Sequence, residues 1–304
     1  MPAGAVKIIC LGAAVIDRVY AVNHIPSTPQ KVQAHDSRDR CGGIAATAAV
    51  AIAQLGHAAV FWGRLGDDAA GTWILAELER HGVAIGAVRR SPGGKTPSAA
   101  VIVDAQGERL LAVFPGSGLA EDPDWLPLDE LAGADALLVD ARWPRGALHV
   151  LRAARGHGVP SVLDADLGEP GTLADLAAQA GHSIFSAPGL QRLTGLVDAE
   201  AGLRAAQDCT AGLVGVTLGA EGAYWLEHGE LRHQPAFRIV ARDTTGAGDT
   251  FHGAYAVAIA QKKPVALAMR YATAAAAIKV RRGEGWDGMP DPAAVEQLLQ
   301  SEET

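Results

Sequence analysis

The chain has 304 residues, 49% of them hydrophobic, and a formal net charge of −8 with no basic cluster, which allows one large core and excludes nucleic acid as a natural partner. Cys10, Cys41 and Cys209 form no CxxC pair, so a reduced, cytoplasmic setting is expected rather than a disulfide framework. The first residues lack a secretory-signal pattern and apolar runs are short and interrupted, so neither export nor a membrane span is expected.

In chain order, residues 6–11 are an apolar run that predicts a buried strand. Residues 44–55 have the length and composition of a helix. Residues 58–62 predict a strand and 69–80 a helix that stops at His81-Gly82. Residues 98–103 and 109–114 flank Asp104-Ala105-Gln106-Gly107 and predict a hairpin. From residue 136 the pattern alternates. Strands at 136–139, 161–163, 183–185 and 213–217 are separated by Ala- and Leu-rich helical stretches, and a further helix is expected over 251–261. Such alternation predicts an α/β fold with a mainly parallel sheet covered on both faces and ligands at the carboxyl ends of its strands. Segments 19–34 and 98–114 suggest strands with no following helix. No linker or repeat divides the chain, so 1–304 is expected to be one domain.

The stretch Asp243-Thr244-Thr245-Gly246-Ala247-Gly248-Asp249 is the strongest chemical signal. A glycine-rich turn entering an apolar helix presents backbone N–H groups and the positive end of the helix dipole to an anion. A carboxylate beside such a cradle repels a phosphate unless it is there to take a proton. Anion cradle plus base is what phosphoryl transfer to a hydroxyl requires. The plainer reading is an Asx-capped helix start. No GxxxxGK[ST] or HExxH pattern occurs.

This stretch resembles the C-terminal signature of the ribokinase-like (PfkB-type) carbohydrate kinases. Cys41-Gly42-Gly43-Ile44-Ala45-Ala46-Thr47, closing at Leu55-Gly56, resembles the family's paired-glycine signature. Gly12 with Asp17, and Val216-Thr217-Leu218-Gly219 with Glu221-Gly222, resemble its first-strand and nucleotide-loop segments. The resemblance implies a three-layer α/β/α sandwich with a small β lid at about 19–34 and 98–114, and a homodimer built on that lid. It implies ATP and Mg²⁺ as cofactors and a sugar as acceptor. Asp249 would be the general base, with Gly246, Ala247 and Gly248 as backbone donors. Asp17, Gly42, Gly43 and Thr47 would hold the sugar. Thr217, Gly219, Gly222, Gly246 and Gly248 would hold the nucleotide, with 274–278 and 283–285 on its adenine side. Asp243 and Thr245 would help bind a monovalent cation such as K⁺.

Two departures stand out. Many relatives carry a glutamate near the Mg²⁺ site where this chain has Gly189, so Asp166 or Asp164 becomes the candidate for a water-mediated metal contact. The stretches 185–195, 234–237 and 250–254, with Asp140-Ala141-Arg142-Trp143, resemble the 6-deoxy-6-sulfofructose kinases. That branch implies phosphorylation of a ketose 1-hydroxyl, with Lys31 and Arg142 on the sulfonate. Val113 stands where the branch offers asparagine. Fructose 6-phosphate, fructose, 2-keto-3-deoxygluconate or a nucleoside are alternative acceptors, and a catalytically silent sugar- or nucleotide-binding regulator is the alternative of another class.

Overall fold

The computed structural model describes residues 4–166, 168–210 and 212–301. It opens with β1 (Lys7–Gly12), β2 (Val15–Ala21), β3 (Asp36–Gly42), α1 (Ile44–Gln54), β4 (Ala58–Gly66), α2 (Ala69–Arg80) and β5 (Val83–Ser91). A hairpin of β6 (Ser98–Val103) and β7 (Arg109–Phe114) follows. Next come β8 (Ala136–Asp140), α3 (Pro144–His157), β9 (Ser161–Ala165), α4 (Pro170–Ala177), β10 (His182–Ser186), α5 (Ala187–Thr194), α6 (Ala199–Gln207) and β11 (Leu213–Thr217). The chain finishes with β12 (Ala223–Glu227), β13 (Glu230–Gln234), α7 (Ala247–Ala260), α8 (Val265–Arg282) and α9 (Pro292–Ser301).

Among the described residues the large sheet has the order β13-β12-β11-β10-β9-β8-β1-β4-β5. It is parallel from β11 to β5, and β12 and β13 add an antiparallel edge. Strands β8 and β9 are buried along their whole length and are apolar except for Asp140, Ser161 and Asp164. One core layer lies against α1, α7 and α8, the other against α3 to α6. Helices α1 and α7 approach backbone to backbone: a Cβ on Gly253 would lie 2.7 Å from the Ala48 carbonyl oxygen. Among the described residues no helix is long and apolar enough to cross a membrane.

The second sheet has the order β3-β2-β6-β7. Its strands lie at the flanks of the expected 19–34 segment rather than along it. Residues 22–35 carry no strand, because β2 ends at Ala21 and β3 begins at Asp36. Strand β3 reads Asp-Ser-Arg-Asp-Arg-Cys-Gly, with no apolar alternation to betray it. Helix α7 also starts earlier than expected, at Ala247, which puts Asp249 in its first turn rather than in front of it.

Candidate active site

The turn entering α7 is set by local hydrogen bonds. Asp243 Oδ1 accepts from the Thr245 N–H at 2.9 Å, and the Ala247 N–H donates to the Thr244 carbonyl. Gly246 takes φ 75°, a left-handed conformation that suits glycine. The Thr250 N–H makes the first helical bond, to the Gly246 carbonyl. The N–H groups of Gly248 and Asp249 therefore lack an acceptor four residues back.

This turn separates two cavities. On one side, Thr217, Gly219, Gly222, Ala247 and Gly248 line a largely apolar space of about 590 Å³. Ala276 and Ala277 of α8 line it too, whereas Gly283 and Gly285, expected here, lie elsewhere. On the other side, a small cavity of about 70 Å³ brings together Asp17, Gly42, Gly43, Thr47, Gly246 and Asp249. Residues from three distant stretches thus share one space beside one helix start. The small cavity adjoins a cleft of about 590 Å³ under the second sheet, which Asp17 and Thr245 also line.

Close contacts explain the glycines. A Cβ on Gly42 would lie 2.8 Å from Asp17 Oδ2. Gly43 has φ 97°, and a Cβ there would lie 2.5 Å from the Ala13 carbonyl oxygen. Asp17 is pushed upward in pKa by burial, which the nearby Arg40 guanidinium opposes. The Thr47 hydroxyl accepts from the Trp286 indole N–H at 3.0 Å, so only its own proton and a remaining lone pair are left for a ligand.

Behind the turn lies a buried charge cluster that the sequence reading passed over. His252 Nδ1 lies 2.8 Å from the Gly248 carbonyl and 2.9 Å from Asp164 Oδ2, and Nε2 lies 3.1 Å from the Ile184 carbonyl. With acceptors at both nitrogens, the ring is held as an imidazolium. Burial alone would lower its pKa, but the Asp164 carboxylate and the two carbonyls raise it to about 9. Asp249 keeps a face on the small cavity, yet its pKa is raised, first by burial and then by Asp164, with His252 opposing. Because the folded His252 pKa exceeds its ordinary value of 6.5, the pair's stabilisation is complete below that value and is lost as pH rises through about 9. The unfolding temperature of the wild type should therefore fall more steeply across that alkaline window than that of His252→Asn; parallel profiles would contradict a charged His252.

Asp140, at the end of β8, is a strut. Its Oδ2 accepts from the N–H of Ala13 at 2.7 Å and of Ala45 at 3.1 Å, and its Oδ1 from that of Arg142 at 2.8 Å. Those bonds tie the β1–β2 turn and the start of α1 to β8. Burial pushes its pKa up to about 6 against the pull of those three donors.

Several expected ligands are placed differently. Arg142 Nη2 donates to Asp166 Oδ2 at 3.0 Å, and Ser186 Oγ donates to Asp166 Oδ1 at 2.9 Å. Arg142 is thereby turned to a carboxylate on β9's exit rather than to the small cavity. Asp166 thus carries a donor on each oxygen, and Asp164 is paired with His252, so both carboxylates are engaged by protein groups. No cluster of three or more metal-ligating side chains occurs among the described residues. Lys31 is exposed in the coil between β2 and β3 and lines none of the three cavities. Val113 pairs with Ala99, which pairs with Asp17, so it sits on the cleft face of the second sheet but 66% exposed. At Gly189 a Cβ would press on the Ala165 carbonyl and lie 3.0 Å from that of Asp166. Helix α5 is packed too tightly on β9 for a glutamate there.

The cation expectation fares similarly. Asp243 Oδ2 accepts from Arg40 at 3.0 Å, and Oδ1 accepts from Arg109 at 2.9 Å in addition to Thr245. Burial would raise the Asp243 pKa, but Thr245 and the two guanidinium groups hold it well below the usual carboxylate range. A carboxylate so occupied does not fit a K⁺ ligand.

Comparison with known proteins identifies the family. The profile of the pfkB family carbohydrate kinases matches residues 5–292. A ribokinase of Bacillus subtilis is 27% identical over 297 residues, covering 96% of this chain and 99% of that protein. A ribokinase of Arabidopsis thaliana is 30% identical, covering 98% and 82%. Among solved structures, a chain from Agrobacterium tumefaciens with a provisional ribokinase assignment superposes with a TM-score of 0.93 at 34% identity, covering 99% of each chain. Arabidopsis thaliana ribokinase complexed with ribose and ATP gives 0.84 at 27% identity, covering 97% and 99%. The fold, the placement of the motifs and this match over nearly the whole chain lead to one assignment: the protein belongs to the pfkB family of carbohydrate kinases.

Proposed function

We propose that the protein transfers the terminal phosphoryl group of ATP to a hydroxyl of a small sugar, with Asp249 as general base. The observation that carries this reading is the shared turn: Ala247 and Gly248 line the larger cavity, while Gly246 and Asp249 line the smaller one with Asp17. ATP would lie in the larger cavity along Thr217, Gly219 and Gly222. The sugar would lie against Gly42 and Gly43 with two hydroxyls on Asp17. Its acceptor hydroxyl would give its proton to Asp249 as the oxygen bonds to the terminal phosphorus. The bond from that phosphorus to the bridging oxygen breaks, and ADP leaves. The N–H groups of Gly248 and Asp249 would take the charge that develops on the phosphoryl oxygens. Mg²⁺ bound to the nucleotide phosphates would screen charge there; no side chain of this site is assigned to it.

Neutral pentoses are the first candidates, because ribokinases dominate the relatives. A specific observation keeps an anionic acceptor, including 6-deoxy-6-sulfofructose, as the second reading: Arg38, Arg40, Arg109, Arg242 and Arg282 all line the lid cleft beside Asp17. These cations replace Lys31 and Arg142 in that role. ADP formation should be measured with ribose, fructose, fructose 6-phosphate, 2-keto-3-deoxygluconate and 6-deoxy-6-sulfofructose. Sugar-dependent turnover with at least one is expected. ATP consumption indifferent to every sugar would sink the kinase reading, and preference for a neutral sugar would sink the anionic one.

The base must be ionised, so kcat/KM should fall as pH drops through the raised Asp249 pKa. Removing the nearby positive charge in His252→Asn should raise that pKa further. The acid limb of the profile should therefore move to higher pH; an unmoved limb would detach His252 from the base.

We further propose a homodimer through the lid. Edge strand β7 is exposed throughout, with Leu110 52% and Phe114 38% accessible on the face away from the cleft. Sedimentation should show a dimer that Leu110→Asp with Phe114→Asp dissociates. A monomeric wild type at micromolar concentration would rule it out.

A further inference from the structure

Lys279 lies within an Ala-rich stretch of α8 and is 1% exposed. A lysine near a helix C-terminus ordinarily runs its stem along the surface and keeps its ammonium in water. This one turns inward. Its Nζ donates to the Gly283 carbonyl at 3.2 Å. Its stem passes under the anion turn, where a Cβ on Gly246 would lie 3.8 Å from Lys279 Cε. It lines the small cavity together with Thr245, Gly246 and Asp249. Burial works against its charge and so does Arg40, while the Asp243 and Asp249 carboxylates favour it.

A backbone carbonyl and flanking carboxylates beside a small cavity are surroundings that suit a compact cation. The Asp243 oxygens are already held by Arg40, Arg109 and the Thr245 N–H, so a metal ion would find few ligands there. We propose that the Lys279 ammonium is the fixed cation of this site, standing beneath the Gly246–Gly248 turn in place of a bound monovalent ion. Terminal-phosphate binding then needs no added potassium. The inference rests on the kinase reading above, since it presumes that the turn receives that phosphate. A helix-capping lysine would have the same bond to Gly283 but would not affect ligand binding at the turn. Lys279 is thus a positioning charge, acting on the nucleotide through the turn it supports.

The test is calorimetric titration of a non-hydrolysable ATP analogue into wild-type protein and Lys279→Ala, each in potassium, sodium and tetramethylammonium buffers. Wild-type Kd should agree within about twofold across the three, because the cation is built in. Lys279→Ala should bind about tenfold or more weakly in tetramethylammonium, the scale expected when a desolvated charge is lost. Ammonium or potassium should restore part of that loss. If Lys279→Ala does not fold, Lys279→Gln retains a donor toward Gly283 without the charge and serves the same comparison. Two results would overturn the proposal: wild-type affinity rising about fivefold or more on adding potassium, or a variant that binds as the wild type does in tetramethylammonium. Affinity is read here without turnover. A protein that binds the analogue regardless of cation but never forms ADP with any sugar would therefore refute the kinase reading, while its wild-type and variant affinities would still decide the role of Lys279.

Discussion

Asp249→Asn should leave nucleotide affinity nearly unchanged and lower kcat by two or more orders of magnitude, since a positioned base contributes about 10²–10⁴-fold. The substitution preserves shape, so the α7 turn and its free N–H groups should remain. It removes the group that takes the acceptor proton. It also removes a carboxylate whose pKa is raised by burial and by Asp164, so the folded protein should gain rather than lose stability at neutral pH. A variant with near-wild-type kcat would refute the assignment of the base. A variant that is slow and also fails to bind nucleotide would point instead to collapse of the turn.

Asp140→Ala should give the largest loss of stability, about 2–4 kcal/mol. Three N–H groups from Ala13, Ala45 and Arg142 end on this one carboxylate. Each buried donor left without an acceptor costs about 1–3 kcal/mol, and relief from burying a carboxylate offsets part of the sum. The damage should also reach the sugar side. Ala13 backs Gly43, and Ala45 lies in the first turn of the helix that carries Thr47, so KM for the sugar should rise more than KM for ATP. Asp140→Asn keeps an acceptor oxygen and should lie between the two. Denaturant unfolding of both variants measures the stability term. A cost below about 1 kcal/mol for Asp140→Ala would mean that water replaces the carboxylate.

The parallel core was legible because buried strands of such a sheet read as short apolar runs, as in 136–139 and 213–216. The strands of the second sheet, and β5 at the edge of the large sheet, were only partly legible. Strand β3 is polar throughout because it is an exposed edge, and β5 alternates around Gly86 and ends in Arg89-Arg90-Ser91. The residues grouped around Asp249 were found through motifs that are contiguous in sequence. The Asp164–His252 pair and the Asp140 strut were passed over, because their partners lie far apart along the chain. Asp140 and Asp164 each showed only a carboxylate at or next to the end of a buried strand, and His252 only a polar residue three places after Asp249. Lys279 offered one signal, a charge standing between the apolar Ile278 and Val280 just after an alanine run. Arg142 and Asp166 were singled out separately, and the sequence could not show that each occupies the other.

The most direct measurement is a crystal structure with a non-hydrolysable ATP analogue and the sugar that supports turnover. The account predicts the terminal phosphorus at the Gly246–Gly248 turn and one sugar hydroxyl between it and Asp249, within hydrogen-bond reach of the carboxylate. A sugar bound with no hydroxyl in that position, or a nucleotide whose terminal phosphate lies away from the turn, would contradict it.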